Sequence, residues 1–161
     1  MATATSIRCF DYVNHPYKKV CSTLSQHANK VFHLATRSAE TRAENIAAGL
    51  HTKIAGFEIG KEVLVTIKSY TDVENLRKKH MTINLEWKAA HAANLFPTMV
   101  AKLNVYPISG DETQLDFEGE YEPPLGIIGK AIDVIVGHRI AEASVHHFLS
   151  EITDFLRKNI R

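Results

Sequence analysis

Hydrophobic and polar residues alternate along the middle of the chain, a pattern typical of antiparallel β-strands with one buried and one solvated face. The alternation is clearest from Met81 to Ala89 and from Leu115 to Glu122. On this basis six segments are predicted to be strands: 6–13, 50–54, 63–68, 81–89, 99–105 and 115–122. The charged segment 71–79 is predicted to be an exposed loop, and Pro123 and Pro124 end the last strand.

Apolar residues at helical spacing lie on both sides of the strand region. Two shorter helices are predicted after the first strand, one beginning near Pro16 and a second that starts near Ala28 and continues or restarts through Ala47. A long C-terminal helix is predicted from Leu125 to about Asn159. Its first half is apolar over most of its circumference and must be covered on several sides, so a curved sheet wrapped around it is expected.

Two glycines lie inside the predicted C-terminal helix, so the sequence does not decide whether this helix is continuous. Gly129 and Gly137 each cost up to about 1 kcal/mol relative to alanine in a helix interior. Close approach to the sheet, or space for a ligand, would account for them. The alternative is a break near Gly137 that splits the helix in two.

Two stretches of the sequence resemble the START-like, or SRPBCC, helix-grip superfamily, which includes polyketide cyclase/dehydrase-like and lipid-transfer proteins. The opening IRCFDYVNHPYKKVCSTLSQ resembles its first strand and first helix, and EGEYEPPLGIIGKAIDVIVGHRIAEASVHHFLSEITDFL resembles its last strand and gripping helix. The resemblance spans essentially the whole chain and is greatest to bacterial-type members of unassigned function. It implies an α+β helix-grip fold. The chain departs from some ligand-binding relatives in having only Gly56 and Gly60 where they have a glycine-rich loop.

Composition narrows the classes of function. With 161 residues, the chain is expected to form one START-like domain over 1–161. Its 19 basic and 18 acidic residues do not favour nucleic-acid binding. Apolar runs are too short for membrane insertion, and the N-terminus lacks the features of a signal peptide, so a cytoplasmic location is expected. Cys9 and Cys21 are too few for a disulfide scaffold.

The helix-grip superfamily commonly holds an apolar ligand between sheet and helix, and this chain has residues suited to such a pocket. The predicted ligand-binding residues share the inward side of the strands or lie on the helix beneath: Leu85, Trp87, Met99, Leu103, Phe117, Tyr121, Ile128, Ile132, Ile135 and His138. The resulting hypothesis is binding or carriage of a lipid, polyketide or similar hydrophobic molecule. The structural alternative is that these side chains fill one another's space.

His138 and Tyr121 are the candidate catalytic residues. His138 lies on the apolar stripe of the C-terminal helix, and an imidazole can exchange protons near neutral pH. A second hypothesis is therefore a polyketide cyclase/dehydrase-type enzyme in which one of the two moves a proton, although a non-catalytic role is favoured. The structural alternative is a core histidine. Glu142 and His146 follow at steps of four, yet no second cluster supplies further ligands, so neither a metal nor a cofactor is expected.

An acidic row marks the polar side of the last strand. Asp116, Glu118, Glu120 and Glu122 are expected to share its solvated face, where they could pair with Lys102 and Lys88 of neighbouring strands. A third hypothesis is a protein-interaction module that uses this face. The sequence is also compatible with a homodimer.

Overall fold

The computed structural model describes residues 5–49, 63–75, 78–89, 98–122 and 134–161. Five strands and two helices lie in these ranges: β1 Thr5–Val13, α1 Tyr17–Gly49, β2 Val63–Asn75, β3 Lys78–Ala89, β4 Thr98–Pro107, β5 Thr113–Glu122 and α2 Val134–Asn159. The predicted strand at 50–54 lies outside the described residues. The α+β class, with a curved antiparallel sheet against a long C-terminal helix, is confirmed.

The strands form one antiparallel sheet in the order β1-β5-β4-β3-β2. Alternate residues point to the same face, so the register brings Cys9, Phe117, Leu103 and Ile83 into one row across four strands. All four side chains in this row are buried. The inner face predicted from the alternation is therefore the face that the helices cover.

Helix α1 begins where the sequence predicts but is longer than expected. The Pro16 carbonyl accepts hydrogen bonds from the amides of Lys19 and Val20, which starts the helix. One continuous helix then runs to Gly49, so the prediction of two shorter helices is wrong. No proline or glycine occurs between Tyr17 and Gly49 to end the helix.

Helix α2 is continuous from Val134 to Asn159 and passes Gly137 without a break. The first part of the predicted helix, from Leu125, lies outside the described residues. Its buried stripe includes Ala141, Val145, Phe148 and Ile152, which recur at steps of three or four. This stripe faces α1 and the sheet, so the core lies between α1, α2 and the sheet.

The expected loop at 71–79 is instead mostly strand. Strand β2 reaches Asn75 and β3 begins at Lys78, and these two residues are partners in the register. Backbone hydrogen bonds in a ladder do not depend on side-chain polarity, so a charged hairpin can extend beyond the apolar core. The prediction failed because it used side-chain polarity alone.

Candidate functional site

The two candidate residues, Tyr121 and His138, meet at one end of the interface between the sheet and α2. Tyr121 shares the inner face of β5 with Phe117, and α2 places His138 opposite it. The Tyr121 hydroxyl lies 2.9 Å from Nδ1 of His138, within hydrogen-bond distance. The two rings are nearly parallel, at 27°, with centroids 6.1 Å apart. Tyr121 is only 4% exposed and His138 is half-buried, so one ring belongs to the core while the other reaches its boundary.

The surroundings of Tyr121 favour its protonated form. Burial raises the pKa of Tyr121 above its ordinary value, and the negative charge of Glu142 acts in the same direction. A side-chain hydrogen bond with Thr5 lowers this pKa and offsets part of the shift. At neutral pH the Tyr121 side chain is therefore a neutral phenol that can donate one hydrogen bond.

The inner face beside Tyr121 is closely packed around Gly119. Met99 lies opposite Tyr121 in the register, and Ala101 lies opposite Gly119. A Cβ atom on Gly119 would lie 2.9 Å from Sδ of Met99 and 3.0 Å from Cε1 of Phe117. The absent side chain therefore makes room for the Met99 and Phe117 side chains.

Four of the predicted ligand-binding residues, besides Tyr121 and His138, have side chains that the structure describes: Leu85, Met99, Leu103 and Phe117. All four are buried, and Leu103 and Phe117 are 0% exposed. A side chain with no exposed surface leaves no room for even a water molecule beside it. Ile128 and Ile132 lie outside the described residues, as do the side chains of Trp87 and Ile135.

Three phenylalanine rings fill the space at the level of Phe117. Phe148 of α2 stacks on Phe32 of α1 with centroids 6.0 Å apart. The Phe148 ring also makes an edge-on contact with Phe117 of β5, with ring centroids 5.9 Å apart. This part of the interface is solid, so any site at the Tyr121 end would lie beyond Phe117 and not against it.

A polar network at the opposite end of the interface joins β1 to α2. Asp11 accepts hydrogen bonds from Thr153 Oγ1 at 2.6 Å and from the Arg157 guanidinium at 3.2 Å. Arg157 also donates to the Tyr12 carbonyl at 2.6 Å. Sequence reasoning missed this network. The available signal was Asp11 itself, a carboxylate on the inward side of a strand whose other inward residues include Cys9.

The two cysteines are buried and form no disulfide bond. Burial raises the pKa of Cys9 to about 12, and the charges of Asp116, Asp11 and Glu142 contribute to the rise. A thiol with such a pKa is almost wholly protonated at neutral pH, so Cys9 is a poor nucleophile.

The acidic row on β5 is less exposed at Asp116 than the sequence predicts, whereas Glu118 and Glu120 are exposed. Asp116 is only 3% exposed, so the prediction that it is solvated is wrong. The exposed guanidinium of Arg8, on β1, lies 2.6 Å from the Asp116 carboxylate and 3.3 Å from that of Glu118. The partner comes from β1, which the sequence could not place next to β5, and the pairing reduces the negative charge of this face.

A concavity lies between the two helices, away from Tyr121 and His138. It has a volume of about 150 Å³ and is lined by Val31, Leu34, Ala35, Glu151, Asp154, Phe155, Lys158 and Asn159. Its acidic groups already have partners, since Glu151 lies 3.8 Å from His147 and Asp154 lies 2.8 Å from Arg157. This groove combines apolar surface with the charged side chains of Glu151, Asp154 and Lys158.

Two further features, a metal site and a membrane-spanning helix, are absent from the part of the chain that the structure describes. Within those ranges, no three His, Cys, Asp or Glu side chains are grouped so that they could hold a metal ion. None of the helices described there is both long enough and apolar enough to cross a membrane.

Comparison with known proteins identifies the fold. No protein-family model matches the sequence, and no curated protein matches it. The Zhui aromatase/cyclase from Streptomyces sp. R1128 has a similar structure, with a TM-score of 0.51, 11% identity, and coverage of 99% of this chain and 97% of that one. This similarity confirms the expected helix-grip fold.

Two other solved structures give lower scores. Norcoclaurine synthase from Thalictrum flavum, in complex with dopamine and hydroxybenzaldehyde, has a TM-score of 0.47 and 10% identity, covering 98% of this chain and 89% of that one. A START superfamily protein from Mycobacterium smegmatis has a TM-score of 0.45 and 13% identity, covering 97% and 99%.

Proposed function

We propose that this helix-grip protein binds a hydrophobic small molecule, such as a lipid or polyketide, between its sheet and α2. The observation that carries the proposal is the hydrogen bond between Tyr121 and His138, which places two polar atoms at the boundary of the apolar part of the interface. Small-molecule sites commonly combine apolar walls with a few polar groups that orient the ligand. The protein would then act as a carrier in the cytoplasm.

The packing of the interface limits where the ligand would lie. The phenylalanine rings of Phe32, Phe117 and Phe148 close the middle of the interface. The ligand would therefore lie at the end marked by Tyr121 and His138, beyond the closely packed side chains of Phe117 and Met99. In the proposal, Leu85 and Leu103 belong to this packed layer, and Trp87, Ile128, Ile132 and Ile135 remain predicted ligand-binding residues.

Removal of apolar ligand surface from water would supply the binding free energy. Each square ångström buried contributes about 25 cal/mol, so roughly 300 Å² could drive micromolar binding when association costs are modest. A single hydrogen bond to the polar pair would add less, about 0.5–1.5 kcal/mol, and would mainly fix orientation. Burial of apolar surface would thus supply most of the affinity, and the Tyr121–His138 pair would fix the orientation of the ligand.

The hydrogen bond between Tyr121 and His138 also favours a second candidate function. A phenol and an imidazole in contact can exchange a proton, so the same site could serve a cyclase/dehydrase-type enzyme. The two functions differ in what the pair contributes. His138→Ala and Tyr121→Phe should leave binding nearly unchanged in a carrier, whereas either change should lower the turnover of an enzyme by about 10²-fold or more.

Native mass spectrometry of protein purified from its own host tests the binding proposal. We expect a co-purifying hydrophobic compound, visible as an added mass and identifiable after organic extraction. His138→Trp should abolish the added mass because the indole occupies the proposed site. Arg139→Trp is the matched control, since Arg139 is the next residue along α2 and is exposed.

The outcomes of this experiment are distinct. An added mass in the wild type and in Arg139→Trp, but not in His138→Trp, supports the proposal. A clean apo mass in the wild type contradicts ligand carriage. An added mass that persists in a folded His138→Trp variant places the ligand elsewhere and contradicts the proposed site.

A further inference from the structure

We infer that the polar contact offered by this site is a hydrogen-bond donor, Nε2–H of His138, and that the ligand carries a neutral carbonyl oxygen to accept it. The inference rests on the proposed function, because it specifies the chemistry of the ligand bound there. Three features carry it: the atom of His138 that faces Tyr121, the accessibility of the other ring nitrogen, and the position of Glu142.

The hydrogen bond to Tyr121 fixes which nitrogen of His138 carries the proton. In a neutral imidazole one nitrogen is a donor and the other an acceptor, and the partner of one determines the role of the other. Nδ1 of His138 faces the Tyr121 hydroxyl at 2.9 Å. A phenol donates more strongly than it accepts, because its ring withdraws electron density from the oxygen. Tyr121 therefore donates to Nδ1, and the proton of the imidazole resides on Nε2.

The environment of Tyr121 supports this direction of donation. Burial and the charge of Glu142 raise the pKa of Tyr121, so its hydroxyl keeps the proton that it donates. The hydrogen bond with Thr5 lowers the same pKa, which is the effect of a donor directed at the phenol oxygen. Thr5 lies opposite Tyr121 in the register of β1 and β5. With the oxygen accepting from Thr5, its own proton is free to bind Nδ1.

Nε2 of His138 is the atom left for a ligand. Among the residues that the structure describes, His138 forms its hydrogen bond to Tyr121 through Nδ1, and Nε2 has no partner there. The ring is half-buried, so part of it remains accessible. A donor directed at a bound molecule selects an acceptor such as a ketone, quinone or ester oxygen, and it discriminates against a hydrocarbon of the same shape.

Glu142 favours a neutral acceptor over an anionic one. It lies one helical turn after His138 on α2, and its charge raises the pKa of Tyr121. The same negative field disfavours an anion bound beside His138. A carboxylate ligand would meet this repulsion, whereas a carbonyl compound would not.

Nuclear magnetic resonance tests the tautomer directly and needs no ligand. Long-range ¹H–¹⁵N spectra at pH 8, where free histidine is neutral, distinguish the protonated ring nitrogen from the bare one. The chain has nine histidines, and the His138→Gln spectrum identifies the signals to assign. We expect a protonated Nε2 and a bare Nδ1 for His138, and a mixture of tautomers in Tyr121→Phe. A protonated Nδ1 in the wild type overturns the inference.

A matched pair of probes tests the ligand chemistry. Fluorene and 9-fluorenone share a planar three-ring skeleton and differ in a methylene or a carbonyl group. We expect the wild type to bind 9-fluorenone about 2- to 10-fold more tightly than fluorene, the gain from one net hydrogen bond. His138→Phe keeps an aromatic ring without donors and should remove the preference. Fluorene-9-carboxylate should bind more weakly than 9-fluorenone, and Glu142→Gln should narrow that gap.

Failure of this inference is distinguishable from failure of the proposed function. Binding of neither neutral probe contradicts the proposed function, while the tautomer measurement still decides the role of His138. Equal binding of fluorene and 9-fluorenone, with Nε2 protonated, contradicts the ligand class alone. A preference for the ketone that survives in His138→Phe contradicts the assignment of the donor to His138.

Discussion

The two ends of the interface between α2 and the sheet are held in different ways. At one end Asp11 accepts from Thr153 and Arg157, which ties the last turns of α2 to β1 with a charge-assisted network. At the other end a single hydrogen bond joins Tyr121 to His138 near the start of the described helix. Charged hydrogen bonds are roughly twice as strong as neutral ones, so the Asp11 end is the stronger attachment.

This difference separates the part of the interface that stabilises the fold from the part available to a ligand. A strong, multiply bonded end can position α2 without help from the other end. The Tyr121 end then tolerates a weaker contact whose polar atoms face a bound molecule. Phe148 and its two aromatic neighbours lie between the ends and keep them apart.

The largest loss of stability is expected from creating a cavity in the packed core between the two ends of the interface. Phe148→Ala removes a fully buried ring that contacts Phe32 and Phe117, and it should lower the free energy of unfolding by about 3–5 kcal/mol. Urea denaturation measures the loss. Phe10→Ala is the control, because Phe10 is 56% exposed and its loss should change stability by about 0.5 kcal/mol or less. Similar losses for both variants would contradict a solid middle.

A smaller effect is expected from breaking the stronger end. Asp11→Ala removes the acceptor of the buried Thr153 hydroxyl and of Arg157, and should cost about 1–3 kcal/mol in urea denaturation. The ion pair with Arg157 is partly exposed, and Thr153 keeps a bond to the Ser150 carbonyl, so larger losses are not expected. Asp11→Asn, which retains one acceptor oxygen, should recover part of the loss. The comparison of the two ends fails if Asp11→Ala is no more destabilising than His138→Ala.

The smallest loss of stability is expected from removing the Tyr121 hydroxyl at the weaker end, and this loss depends on pH. The pKa of Tyr121 is raised in the folded state, so the folded protein retains this proton when the unfolded chain has lost it. The stability linked to Tyr121 is therefore complete below pH 10 and declines as the pH rises through the folded value. Tyr121→Phe should cost about 0.5–1.5 kcal/mol at pH 7 and then lose less stability between pH 9 and 11 than the wild type. Urea midpoints across this range measure both effects, and equal losses in the two proteins would show that Tyr121 is not the group responsible.

Features that depend on local pattern could be predicted from the sequence. Alternation identified the buried side of β5 at Leu115, Phe117 and Tyr121, because a strand with one covered face requires that period. The start of α1 after Pro16 followed from proline geometry. The same patterns selected Tyr121 and His138 as candidates, since each is a polar group on an apolar stripe.

Features that depend on contacts between distant segments could not be predicted. Arg8 and Asp116 are 108 positions apart, and their pairing requires β1 to lie beside β5. The bond between Asp11 and Thr153 spans 142 positions and likewise depends on the fold. The contact between Tyr121 and His138 required knowledge of where α2 lies against β5. Sequence patterns suggest which side chains are buried, but strand order and helix placement decide which of them meet.

Arg157 has a consequence beyond the attachment of α2. Among the described strands, β1 lies at the border of the sheet, where an unpaired backbone can recruit a strand from another molecule. At Tyr12 the carbonyl accepts from Arg157 and the amide donates to the Asp11 carboxylate. Both backbone groups are therefore occupied at this position, and a foreign strand cannot extend its ladder through Tyr12. The same residues that hold α2 also protect this border against edge-to-edge aggregation.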